Sequence, residues 1–132
     1  MHDPVVAKLD LDDPLIAVVG ATDSPGKYGG IIYRHLKAKG YRVVPINPHR
    51  DEVDGDRTYP SVSDIDERPD IIDVVVPPTR TLSLLDEFAT MEDAGIWIQP
   101  GAANGAVRDK ASELSVDVLI DECIMVVAPA RA

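Results

Sequence analysis

The stretch IAVVGATDSPGKYGG, residues 16–30, decides the fold class of this chain. Leu15 to Val19 is a short apolar run that stops at Gly20, the pattern of a buried strand. A polar loop follows, and a helix is expected from Lys27 to Lys39, ended by Gly40, with Ile31, Ile32, His35 and Leu36 inward. Gly20 permits a sharp turn, and Gly29 and Gly30 allow the helix to pack close to its surroundings. Free N–H groups at the helix start favour an anion, to which Thr22 and Ser24 add hydroxyls and Lys27 a positive charge. The spacing is neither G-x-G-x-x-G nor G-x-x-x-x-G-K-[ST], since Gly26-Lys27 is followed by Tyr28.

Outward from this unit the alternation continues. Apolar runs at 42–46, 71–76, 96–98 and 116–120 read as strands, and 81–93 and 106–114 as helices, the first with Leu82, Leu85, Phe88 and Ala89 inward. The polar segment from His49 to Arg68 is a connection with one short helical turn near Ser63–Asp66. Strands alternating with helices imply an α/β fold: a Rossmann-like, doubly wound, parallel five-stranded sheet, expected in the order 3-2-1-4-5. Ligands of such sheets bind beyond the carboxyl ends of the strands. Those ends carry Gly20–Gly30, Asn47-Pro48, Val76-Pro77-Pro78 and Gln99-Pro100-Gly101. Residues 15–132 read as one domain, preceded by a loosely docked arm, 1–14, punctuated by Pro4 and Pro14.

Composition narrows the partners. The 132 residues are 45% hydrophobic and carry a formal charge of −10, which argues against a nucleic-acid partner. No apolar run suits a membrane span, and Met1-His2-Asp3-Pro4 lacks the features of a signal peptide. With its single cysteine, the chain is expected in the cytoplasm. Aspartate supplies most of the acid and lysine is scarce, which suits a halophilic source. His2, His35 and His49 show no metal-ligand spacing.

Five stretches together carry a resemblance: IAVVGATDSPGKYGG (16–30), GYRVVPINP (40–48), EVDGDRTYPSVSDI (52–65), WIQPGAANG (97–105) and DECI (121–124). In this order they resemble the small stand-alone CoA-binding proteins and the CoA-binding N-terminal domain of the succinyl-CoA synthetase α subunit. That resemblance implies coenzyme A or an acyl-CoA as ligand. By position, Gly20, Ala21, Thr22, Ser24, Lys27 and Tyr28 form the phosphate side, and Asn47 and Pro48 lie near the nucleotide. Val76, Pro77 and Pro78 match the strand end on which adenine rests, while Gln99 and Gly101 flank the path of the pantetheine arm. The chain departs from the family's Phe-Arg-type turn after the third strand, and from its acidic and His-containing continuation beyond the cysteine.

The function expected is non-catalytic binding of CoA, as carrier or sensor, with a homo-oligomer or protein partner left open. The alternative is an enzyme: a nicotinamide-dependent oxidoreductase, or an acyl transferase using Cys123. Asn47 stands where an NAD enzyme places an acid for the ribose. Cys123 follows the fifth strand with no basic partner in view and reads as a structural thiol. His49 and Arg50 are placed to meet a phosphate or to lie in a solvated loop, and Trp97 reads as core.

Overall fold

A computed structural model describes residues 3–131; Met1, His2 and the readings placed on them lie outside the described residues. In chain order the elements are α1 (Pro4–Ala7), β1 (Leu15–Val19), α2 (Tyr28–Ala38) and β2 (Arg42–Ile46). A small hairpin of β3 (Glu52–Val53) and β4 (Asp56–Arg57) precedes β5 (Ile71–Val74) and α3 (Pro78–Ala89). The chain ends through β6 (Gly95–Ile98), α4 (Gly105–Glu113), β7 (Val118–Ile120) and α5 (Ile124–Val127). The helical turn expected near Ser63–Asp66 lies at Val62–Asp64.

Five parallel strands form one sheet in the order β2-β1-β5-β6-β7. Counted among the core strands alone this is 2-1-3-4-5, which corrects the expected 3-2-1-4-5. Pro45 gives the reason. A proline has no N–H for a ladder, so β2 suits an edge and not a place between two strands. β2 opens with exposed Arg42, whereas every residue of β5 is buried, as an interior strand requires.

Alternate strand residues feed two apolar layers. Ile16, Val18, Ile71 and Trp97 meet Ile32, Tyr33 and Leu36 of α2 and Ile124 of α5. On the other face Val19, Ile72, Val74 and Ile98 meet Leu85 and Phe88 of α3 and Val107 of α4. The N-terminal segment is not loosely docked. Asp3 caps α1 by accepting from the Val5 N–H at 2.7 Å, and Val5 and Leu9 are buried in the first layer. On α2, Tyr33 takes the inward place expected of Ile31, which is exposed; on α3, Leu82 is exposed and Thr81 buried. Among the described residues no helix is long and apolar enough to cross a membrane.

Candidate functional site

The connections from β1 and β5 lie on opposite faces of the sheet, so a crevice opens between the carboxyl ends of these neighbours. Gly20 is its floor. Its φ of +100° is open to glycine, and a Cβ there would stand 2.4 Å from the Val75 carbonyl oxygen. The Gly20 N–H donates to the Ile46 carbonyl at 3.0 Å, and the Asn47 side-chain amide donates to the Ala21 carbonyl at 2.9 Å. The Ser24 N–H donates to Thr22 Oγ1 at 3.1 Å. The loop is thus held between the ends of β1 and β2 before α2 begins.

α2 is pressed onto that loop. A Cβ on Gly29 would lie 1.9 Å from the Gly20 carbonyl oxygen, and one on Gly30 would lie 2.2 Å from the Thr22 carbonyl oxygen. No side chain caps α2 at Lys27 or α3 at Pro77, whereas Asp3 and Asn104 cap α1 and α4. The first N–H groups of a helix have no intrahelical acceptor and carry its positive dipole end. The start of α2 borders a cleft of about 630 Å³, into which Thr22, Ser24 and Lys27 also face; the start of α3 borders it too, but Pro77 and Pro78 bring no N–H to it. This arrangement can hold an anion through backbone and hydroxyl donors.

Two further hollows continue the cleft. A slot of about 150 Å³, sharing Gly20, Asn47, Val76 and Pro77 with it, runs between Pro48 and Phe88 and has largely apolar walls. At the other end a hollow of about 290 Å³, sharing Tyr28, Val75 and Pro100, reaches Gln99 and Cys123. Together they form a trough: apolar slot, donor-lined cleft, then a hollow ending at a thiol.

Lys37, Arg42, Arg68, Arg108 and Lys110 are in ion pairs with carboxylates. Of the cations that no carboxylate pairs with among the described residues, Lys27 and Arg80 line the trough and Arg50 and Arg57 line the hollow beside it, while Lys8, Arg34, Lys39 and Arg131 lie elsewhere. Arg50 donates to Ser24 Oγ at 2.8 Å, which holds its guanidinium at the cleft rim.

The structure separates the expected residues by role. Gly20, Thr22, Ser24, Lys27, Tyr28 and Asn47 line the cleft from one side, and Val76, Pro77, Pro78 and Gly101 from the other. Pro48 and His49 line the slot. Ala21 is fully buried behind the loop and reaches the site only through its carbonyl. Gln99 is buried too: its Oε1 accepts from the Ile124 N–H at 3.1 Å, and its Nε2 donates to Asp73 Oδ1. Trp97 donates its indole N–H to the Glu122 carbonyl at 2.8 Å, so Cys123 lies between two tethered residues.

Sequence reasoning missed Asp73. It is fully buried in β5, and its Oδ2 has no hydrogen-bond partner. Desolvation outweighs the Gln99 bond and pushes its carboxyl up to about 8, so it stands neutral at pH 7. The signal was one acid inside the run IIDVVV. Arg57 was missed as well, because only the hairpin brings it beside Arg50.

Residues 15–129 match a family model described as a CoA binding domain. An uncharacterized Bacillus subtilis protein, YneT, is 30% identical over 111 residues, covering 84% of this chain and 82% of that protein. The α subunit of an ADP-forming acetate–CoA ligase from Pyrococcus furiosus is 40% identical over 84 residues, 63% of this chain but 18% of that subunit. A solved Thermus thermophilus structure superposes with a TM-score of 0.82 at 32% identity, covering 96% of each chain.

Proposed function

The chain belongs to the family of CoA binding domains, and from that membership we propose that it binds coenzyme A or an acyl-CoA non-covalently along the trough. Adenine enters the apolar slot between Pro48, Val76 and Pro77. The pyrophosphate meets the start of α2, the hydroxyls of Thr22 and Ser24, and Lys27, with Tyr28 and Gly29 beside it. The pantetheine arm runs past Gly101 and Pro100 towards Gln99 and Cys123. The observation that carries this reading is the uncapped start of α2 beside the Thr22 and Ser24 hydroxyls and Lys27, with Arg80 on the wall of the adjoining slot, in a chain of charge −10. Asn47 weighs against a nicotinamide ligand: no acid stands at that strand end, and its amide is bonded to the Ala21 carbonyl. The role proposed is a carrier or sensor of CoA without chemistry of its own.

Calorimetric titration tests this directly. CoA is expected to bind and NAD to bind far more weakly. Lys27→Ala is expected to cost CoA about tenfold to a hundredfold, the worth of one charge-assisted contact. Unchanged CoA affinity in that variant would place the phosphates elsewhere, and no CoA binding by the wild type would end the reading.

Salt gives an independent check. Going from 0.1 M to 1 M KCl shortens the Debye length from about 10 Å to about 3 Å. That screens the many distant carboxylates, which repel CoA, more than contacts made at hydrogen-bond distance. CoA affinity and melting temperature are therefore expected to hold or rise across this range. A steep monotonic loss of affinity with the fold intact would mean that exposed cations dominate binding.

A further inference from the structure

The hollow that ends the trough differs in chemistry from the cleft before it. Its walls are Tyr28 and Ile32 of α2, Val75 after β5, Gln99 and Pro100 after β6, and Cys123 before α5. They are largely apolar, and none of the six is an Asp, Glu, Lys, Arg or His. The cleft passes into the hollow between the shared Tyr28, Val75 and Pro100. Tyr28 is exposed at that junction, so its ring can lie against a chain running from one to the other.

The one amide side chain on these walls is already engaged. Gln99 is buried, with its Oε1 on the Ile124 N–H at 3.1 Å and its Nε2 on Asp73. Behind it stands another acid, the buried Asp73, and not a base. The residues that lead into Cys123, Asp121 and Glu122, are exposed acids. A carboxylate carried into the hollow would therefore lose water and meet no cation on the walls, which is costly. An uncharged chain meets no such penalty, and Ile32 and Val75 offer it apolar contact.

Volume sets the length of such a chain. An apolar cavity of about 150 Å³ takes a six-carbon ring. The hollow has about 290 Å³, room for a thioester and a short chain. Resting on the reading of the trough as a CoA site, we propose that the hollow holds the acyl group of an acyl-CoA, an uncharged chain of about four to six carbons. The protein then prefers such thioesters both to free CoA and to acyl groups that end in a carboxylate. Each methylene taken out of water raises affinity by about two- to fourfold.

The test is calorimetric titration, under reducing conditions, with CoA, butyryl-CoA and succinyl-CoA. The two acyl groups have the same number of carbons and differ at the far end, a methyl against a carboxylate. The wild type is expected to bind butyryl-CoA about tenfold tighter than CoA, and about tenfold or more tighter than succinyl-CoA. Cys123→Met and Val75→Ile each add bulk to the wall, one at either side, so that the reading does not hang on the folding of a single variant. In either, the advantage of butyryl-CoA over CoA should fall towards one while free CoA binds within about threefold of the wild type. Butyryl-CoA no tighter than CoA, succinyl-CoA as tight as butyryl-CoA, or an advantage unmoved in both variants would overturn the assignment and leave the CoA reading standing. If the wild type binds none of the three ligands, the CoA reading itself fails.

Discussion

Asp73→Asn is expected to make the protein more stable at neutral pH and to flatten the fall of stability between about pH 4 and pH 8. The sign follows from where the protons sit. Burial raises the folded-state carboxyl to about 8, whereas an exposed aspartate titrates near 3.8. Between these values the unfolded chain has lost the proton and the folded chain keeps it. The stabilisation is therefore whole below the lower value and is lost as pH rises towards the upper one. Each pH unit removes about 1.4 kcal/mol, so on the order of 4 kcal/mol is gone at pH 7. Asparagine does not titrate, and its Oδ1 can still accept from Gln99 Nε2 as Asp73 does. Its amide nitrogen would occupy the place of the unpartnered Oδ2, a cost of about 1–3 kcal/mol that offsets part of the gain. Denaturant unfolding of both proteins at pH 5, 7 and 8 reads the difference. Asp56 and Glu67, whose carboxyls their cationic partners hold low, act in the opposite direction but equally in both chains. Parallel pH profiles for the two proteins would show that Asp73 is ionised in the fold.

Gly29→Ala is expected to weaken both the fold and the site, against its helix propensity. In a free helix the change would gain about 1 kcal/mol. Here the new Cβ would lie 1.9 Å from the Gly20 carbonyl oxygen, and that oxygen belongs to backbone fixed between β1 and β2. Either α2 lifts away or the loop shifts, at the 1–3 kcal/mol or more typical of overpacking. The first N–H groups of α2 would then no longer meet the Thr22 and Ser24 side of the cleft, and CoA affinity should fall with stability. Gly105→Ala is the control: a Cβ there meets nothing within 4 Å, and the change should stabilise by about 0.4–1 kcal/mol. Denaturant melts and CoA titrations of both variants decide it. A Gly29→Ala protein as stable and as tightly binding as the wild type would show that loop and helix are not in contact. Gly20→Val would report the fold in the same way rather than the ligand alone, because its side chain would meet the Val75 carbonyl.

Much of the site was legible because its signals are local. The glycines of 20–30 and the Pro-rich end of β5 mark strand ends within a few residues of sequence, and all of the proposed cleft residues lie at such ends. Gln99 was placed correctly at a strand end, but its amide is engaged within the fold, with Asp73 and Ile124, and that bonding depends on partners about 25 residues away. Val5 and Leu9 looked like parts of a loose arm because only the distant core they join shows that they are buried.

The sequence alone determined the alternation of strands and helices, the Gly-rich first turn and the family, since each rests on short-range pattern or on motifs in order. Pro45, whose missing N–H weakens a second ladder, is a sign of the edge position of β2 that the expected order 3-2-1-4-5 passed over. Three things required the tertiary structure. These are the pairing of β5 with β1, the neutral state of Asp73, and the meeting of Arg50 and Arg57 beside the slot. Each depends on what the folded chain brings within a few ångströms of a group. Strand neighbours, desolvation and local charge are set by contacts between residues far apart in sequence.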